Sequence, residues 1–170
     1  ADNAATTRMS AAAIDAMRSC MEENWGNPSS LYRLGQSASE TLQNARERIA
    51  ACIGAASGEV VFTSGGSEAD NQAILSAARL GVQKGKKHII STAFEHHAIL
   101  HTLKRLEAEG FEVELLPVGN SGTVSASQVA EAIRQDTAFV TIMYANNEIG
   151  SILPIPQIGE ICRERGVIFH

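Results

Sequence analysis

The sequence has few aromatic residues, no basic run and no long apolar stretch. Phe, Trp and Tyr make up 5% of its 170 residues, so the core must be built from Ala, Ile, Leu and Val, which suits helices packed closely on a buried sheet. The formal net charge is −5, which argues against a nucleic-acid partner or an anionic membrane surface. No apolar stretch approaches the roughly 20 residues that span a bilayer, and the first residues do not resemble a signal peptide. The remaining composition is typical of a soluble globular protein.

Cysteines are also too few and too widely spaced for a disulfide framework. Cys20, Cys52 and Cys162 fit a reducing compartment, which predicts a cytoplasmic protein. All three fall on the apolar stripes of predicted helices, so we expect them to be small buried hydrophobic residues. The sequence opens on Ala1 without an initiator Met and closes on residues 167–170, which read as a strand that has only begun. We therefore expect both ends to be cut from a longer protein.

The spacing of apolar residues changes near residue 59. Before it, apolar residues at helical spacing predict two helices, one after Ser10 with Ile14, Met17 and Met21 on one face, and one that stops at Gly54. After it, strands alternate with helices. The predicted strands are residues 59–63, 88–92, 111–118, 137–144 and 167–170, and the predicted helices are residues 67–84, 97–109, 125–134 and 155–165.

This alternation predicts right-handed βαβ units and therefore the α/β class, with a mainly parallel sheet flanked by helices. We divide the chain into an N-terminal helical segment and loop, residues 1–54, and part of a larger α/β domain, residues 55–170. Ligands of such sheets bind beyond the carboxyl ends of the strands. Three segments at those ends could carry chemistry.

The first segment runs from Phe62 to Asn71 and feeds two glycines and Ser67 directly into a helix. Free backbone N–H groups and the positive end of the helix dipole would make it a cup for an anion. Its spacing matches neither the dinucleotide fingerprint nor the P-loop, which favours a single phosphate. The alternative is an ordinary turn between strand and helix, with Ser67 as the N-cap.

The second segment contains His96, His97 and His101. His97 and His101 are four residues apart, so they could share a metal, but no further ligand is spaced to complete the shell. We expect both on the exposed face of the helix, with no metal. His96 lies in the loop before that helix, where its ring could stack on a flat ligand.

The third segment contains Asn146 and Asn147, whose amides could hold a phenolate or carboxylate oxygen, or could simply form a polar turn closed by Gly150. A phosphate cup, a stacking ring and an amide are three things that pyridoxal phosphate needs. It also needs a lysine for its aldehyde and an acid for its ring nitrogen.

With these residues in view, the chain resembles the N-terminal portion of cysteine desulfurases of the NifS/IscS type. These are fold-type I pyridoxal phosphate enzymes of the class V aminotransferase family. Five motifs in order carry the resemblance: Asp2-Asn3-Ala4-Ala5-Thr6-Thr7, Gly26-Asn27-Pro28-Ser29-Ser30, Phe62-Thr63-Ser64-Gly65-Gly66-Ser67-Glu68, Glu95-His96 and Asn146-Asn147-Glu148-Ile149-Gly150.

The resemblance implies that the cofactor is pyridoxal 5′-phosphate. Gly66 and Ser67 would hold its phosphate. His96 would stack on its ring and move protons in catalysis. Asn147 would bond its phenolic oxygen and lie near the substrate carboxylate. Ser67 stands where the family usually has Thr, which keeps the hydroxyl.

Enzymes of this type take sulfur from L-cysteine as a cysteine persulfide and release L-alanine. The resemblance further implies a homodimer and a sulfur-acceptor or iron–sulfur scaffold protein as partner, in iron–sulfur cluster assembly or tRNA thiolation. The Schiff-base lysine, the aspartate for the ring nitrogen and the persulfide cysteine are not in these 170 residues, so we expect the segment alone to be inactive. The alternatives are another class V aminotransferase or lyase, and a non-catalytic fragment or scaffold.

Overall fold

The computed structural model describes residues 3–170. Asp2, the first residue of the five motifs, lies outside this range. The chain forms two compact units, one ending at Phe62 and the other covering Thr63–His170. The division at residue 54 stays a prediction about the domains of the whole protein.

The first unit is helical. Helix α1 covers Ala11–Glu23 and helix α2 covers Arg33–Ile53, and a short 3-10 helix follows at Ser57–Glu59. The Ser10 hydroxyl accepts from the backbone N–H of Ala13 at 3.2 Å and caps α1. Gly54, with a φ of 68°, ends α2 in the left-handed conformation that favours glycine. Both predicted helices are confirmed.

The expected burial of this unit is wrong in part. Cys20 and Cys52 were expected to be buried, but both are exposed. Met17 and Met21 on the same helix as Cys20 are also 50% and 67% exposed. A helical stripe is buried only where another element packs closely on it, and Cys20 instead lines an open cavity together with residues of α2. The burial of Cys162, the third cysteine, is confirmed.

The second unit is an α/β sandwich built on one sheet. Its helices are α3 at Gly66–Gln83, α4 at His97–Ala108, α5 at Ala126–Ala132 and α6 at Ile155–Glu164, and its strands are β1 at His88–Thr92, β2 at Glu112–Leu116, β3 at Thr137–Val140 and β4 at Ile168–Phe169. The strand order is β2-β1-β3-β4 and every pairing is parallel. This confirms the predicted parallel sheet flanked by helices.

Two apolar clusters hold helices on the two faces of the sheet. Neighbouring side chains of a strand point to opposite faces. Accordingly, Ile89 packs with α3 and α4, whereas Ile90 packs with α5 and α6. Both isoleucines are fully buried, so β1 is the centre of the core.

The strand prediction for residues 59–63 is wrong. Residues 60–63 form no strand, because none of the strands within residues 3–170 lies alongside to take up their backbone hydrogen bonds. Strand β3 also ends at Val140 rather than at residue 144, and the chain beyond it turns into the site described below. Among the residues that the structure describes, every helix is too short or too polar to cross a membrane.

Candidate active site

The carboxyl ends of parallel strands meet at one edge of a sheet, and the candidate residues follow those ends. Residues 93–96 connect β1 to α4, and residues 141–150 follow β3. Helix α3 begins at Gly66 and packs beside α4. The topology therefore brings the second and third sequence segments to one edge, with the start of α3 next to the helix that carries His97.

The start of α3 offers backbone donors to a ligand. Ala69 is the first residue of α3 whose N–H donates a helical hydrogen bond, to the carbonyl of Gly65 at 3.1 Å. Within residues 3–170, the N–H groups of Gly66, Ser67 and Glu68 donate to no acceptor. A Cβ added at Gly65 or Gly66 would meet no atom within 4 Å. Open space therefore lies at the positive end of the helix dipole, which fits a phosphate.

Ser67 is not the N-cap of α3, contrary to the alternative reading of this segment. Gly65 occupies that position without a side-chain cap bond. Glu68 Oε2 accepts from the N–H and the hydroxyl of Ser64, one residue before the N-cap, at 2.7 and 2.5 Å. These bonds lower the pKa of Glu68. The Ser67 hydroxyl stays available to a ligand.

His96 is fixed by the helix that it caps. Its Nδ1 accepts from the backbone N–H of Ala98 at 3.1 Å, so a neutral ring carries its hydrogen on Nε2. The ring lies between two cavities. One, of about 380 Å³, is also lined by Ser67. The other, of about 320 Å³, is also lined by Thr141 and Tyr144, and we call it the ring cavity.

His97 and His101 lie on the exposed face of α4, as expected. Their ring centroids are 5.4 Å apart. No group of three or more His, Cys, Asp or Glu side chains in the described part of the chain is placed to hold a metal ion.

The two asparagines have different surroundings. Asn146 is buried; its Nδ2 donates to the Phe94 carbonyl at 3.1 Å, and its Oδ1 accepts from the N–H groups of Glu148 and Ile149 at 2.8 and 2.9 Å. Asn147 is exposed. Within residues 3–170, its amide has no hydrogen-bond partner and it lines neither cavity. The structure thus ties the third segment to the loop of His96 through Asn146 and leaves the amide of Asn147 free.

Sequence reasoning missed the carboxyl group beside His96. Glu95 is 6% exposed, and its Oε1 accepts from the Thr92 hydroxyl at 2.7 Å and from the Met143 N–H at 3.0 Å. Burial raises the pKa of Glu95, the two hydrogen bonds oppose this shift, and the charge of Asp70 adds to it. Glu95 thus joins the loop after β1 to the chain after β3. In the sequence, this role of Glu95 was indicated only by its position next to His96 at a strand end.

These features fit pyridoxal 5′-phosphate at two points. The unpaired N–H groups and the open space at Gly66 suit its phosphate, and the ring cavity lies against the His96 imidazole. The structure brings Ser67 and His96 to one cavity. It does not bring Asn147 into either one.

Known proteins are similar to this chain over nearly its whole length. The family model of class-V aminotransferases matches residues 1–170. Cysteine desulfurase IscS of Methanosarcina thermophila is 48% identical over 169 residues, which are 99% of this chain and 42% of the relative. A solved NifS-like protein superposes with a TM-score of 0.94 at 34% identity, over 99% of this chain and 47% of the other.

A second solved structure, SspA in complex with cysteine, superposes with a TM-score of 0.92 at 38% identity, over 99% of this chain and 48% of the other. The chain spans less than half the length of the curated relatives that it matches, 42% and 44% in two cases.

Proposed function

The chain belongs to the class-V aminotransferase family, and from this membership we propose that the whole protein is a cysteine desulfurase of the NifS/IscS type. It takes sulfur from L-cysteine, leaves L-alanine and carries the sulfur as an enzyme persulfide. The observation that carries the proposal is the 48% identity to a cysteine desulfurase over 169 residues. The likeness to SspA, whose solved structure is a complex with cysteine, supports L-cysteine as the substrate.

The cofactor of the proposal is pyridoxal 5′-phosphate. When bound, it supplies an electron sink that stabilises negative charge on the substrate carbon. The backbone N–H groups of Gly66 and Ser67 and the Ser67 hydroxyl hold its phosphate, supported by the open space at Gly66. The His96 imidazole stacks on its ring, supported by the place of His96 in the wall of the ring cavity.

The residues around these contacts orient them. The N-cap bond to Ala98 holds the His96 imidazole with Nε2 free to move a proton. The three bonds of Asn146 fix the turn from which Asn147 offers its amide to the phenolic oxygen of the cofactor and to the substrate carboxylate. Glu95 keeps the loops after β1 and β3 at a fixed separation.

The finer parts of the proposal follow from the family. The protein acts as a homodimer in the cytoplasm, and it passes sulfur to an acceptor or scaffold protein for iron–sulfur cluster assembly or tRNA thiolation. Since the residues of this chain include no Schiff-base lysine motif and no persulfide cysteine motif, catalysis belongs to the whole protein.

The proposal is tested by incubating the full-length protein with L-cysteine, pyridoxal 5′-phosphate and a thiol reductant. We expect equal amounts of L-alanine and sulfide, and neither product with L-serine, which carries no sulfur. With a 2-oxo acid added as acceptor, an aminotransferase of the family would move the amino group of L-cysteine onto it and release neither L-alanine nor sulfide. A scaffold would bind no cofactor and release no product. Either result would overturn the proposal.

A further inference from the structure

Three polar side chains of the ring cavity have no part in the cofactor contacts proposed above. Asp70, Thr141 and His170 line this cavity together with His96. Asp70 lies on α3, Thr141 directly follows β3, and His170 directly follows β4. Three separate elements therefore converge on the wall of one cavity.

The imidazole of His170 contacts one partner at each of its two nitrogens. Its Nδ1 lies 2.9 Å from Thr141 Oγ1, and its Nε2 lies 3.7 Å from Asp70 Oδ1, within ion-pair distance. A carboxylate can only accept, so the Nε2 hydrogen faces Asp70. In a neutral ring, Nδ1 then accepts from the Thr141 hydroxyl. A ring flipped by half a turn would place carbon atoms against Thr141 and Asp70 and would lose both contacts.

The burial and the charge of these side chains support the two contacts of His170. Thr141 is 1% exposed, and the side chains of His170 and Asp70 are both about one-third exposed, at 31% and 32%. Asp70 shares the cavity with the buried carboxyl of Glu95, and its negative charge contributes to the raised pKa of Glu95. Glu95 has its own donors in other elements, whereas the partner of Asp70 is His170.

We propose that Asp70 and Thr141 are positioning residues that hold the His170 imidazole in one orientation at the wall of the ring cavity, and that tight cofactor binding requires this orientation. The inference rests on the proposed function only in taking the ligand of the cavity to be pyridoxal 5′-phosphate. It assigns a role to two residues outside the five motifs, Thr141 and His170, and to one next to the third motif, Asp70.

The test uses full-length protein labelled with nitrogen-15 histidine, in which the spectrum of His170→Gln identifies the ring signals of His170. We expect Asp70→Asn to shift these signals and to weaken pyridoxal 5′-phosphate binding about fivefold, the scale of one partly exposed polar contact. Asp136→Asn is the matched control. Its exposed carboxylate pairs with Arg134 next to the amino end of β3, so this variant should change neither readout.

A second pair of variants separates positioning from loss of folding. Thr141→Val removes the hydroxyl at nearly constant shape and should shift the same ring signals, and Thr141→Ser should restore them. Ring signals of His170 that stay unchanged in both Asp70→Asn and Thr141→Val would overturn the inference. Wild-type protein that binds no pyridoxal 5′-phosphate would overturn the proposed function and the cofactor half of the inference, while the His170 signals would still decide the positioning half.

Discussion

Two adjacent asparagines should respond differently to the same substitution. The Asn146 side chain is 5% exposed and makes three hydrogen bonds to backbone groups, one to Phe94 at 3.1 Å and two from Glu148 and Ile149 at 2.8 and 2.9 Å. Asn147 is exposed, and its amide is unpaired within the described residues. Asn146→Ala should therefore lower stability, and Asn147→Ala should lower cofactor binding alone.

The size of the first effect follows from the number of bonds lost. Each intramolecular hydrogen bond contributes about 1 kcal/mol net, so Asn146→Ala should lower the free energy of unfolding by about 3 kcal/mol. An exposed side chain without partners contributes less than about 0.5 kcal/mol. Asn147→Ala should thus stay within that range of the wild type.

Urea unfolding followed by circular dichroism measures the stability of both full-length variants, and a titration with pyridoxal 5′-phosphate followed by absorbance measures their affinity. Asn147→Ala should unfold at the wild-type urea concentration and bind the cofactor more weakly. Equal destabilisation by the two substitutions would refute the division of roles. Wild-type affinity in Asn147→Ala would refute the role given to Asn147.

Three further outcomes are expected. Gly81→Ala should cost about 1–3 kcal/mol, because the added Cβ would lie 2.6 Å from the Ala138 Cβ. Gly159 is another helix glycine, and a Cβ added there would meet no heavy atom closer than 3.5 Å. Gly159→Ala should therefore be neutral or stabilising in the same urea assay, and equal destabilisation by the two substitutions would contradict this. The folded-state pKa of Glu95 is raised above its ordinary 4.5, so the wild type should gain stability relative to Glu95→Gln as pH falls from neutral towards that value, and a loss would contradict it. Iodoacetamide at pH 8 should label Cys162 only when urea is present, since burial raises the pKa of its thiol to about 11. Labelling of Cys162 in the folded protein would contradict this prediction.

The sequence predicted those parts of the fold that depend on local pattern. Strand β1 was predicted at the bounds it has, His88–Thr92, because a short apolar, β-branched run between helices suits a buried parallel strand. The equally apolar residues 60–63 form no strand, since a strand exists only with a neighbour to pair with. Exposed Cys20 is a similar case, because its helical spacing was correct but its burial depends on a packing partner.

In the site, the sequence did not predict contacts between residues that are far apart in the chain. The rule that ligands lie beyond strand ends correctly placed His96, whereas Ser67 lines the same cavity although no strand of the described residues precedes α3. The role of Glu95 depends on the N–H of Met143, 48 residues away, and no local pattern indicates such a contact. The division of roles between Asn146 and Asn147 likewise follows from which amide faces the Phe94 carbonyl.

The most direct test of the candidate site is a crystal structure of the full-length protein with pyridoxal 5′-phosphate. We expect phosphate oxygens within hydrogen-bond distance of the Gly66 and Ser67 N–H groups and of the Ser67 hydroxyl, with the cofactor ring stacked on the His96 imidazole. A cofactor bound away from the start of α3, or a ring that does not contact His96, would contradict it.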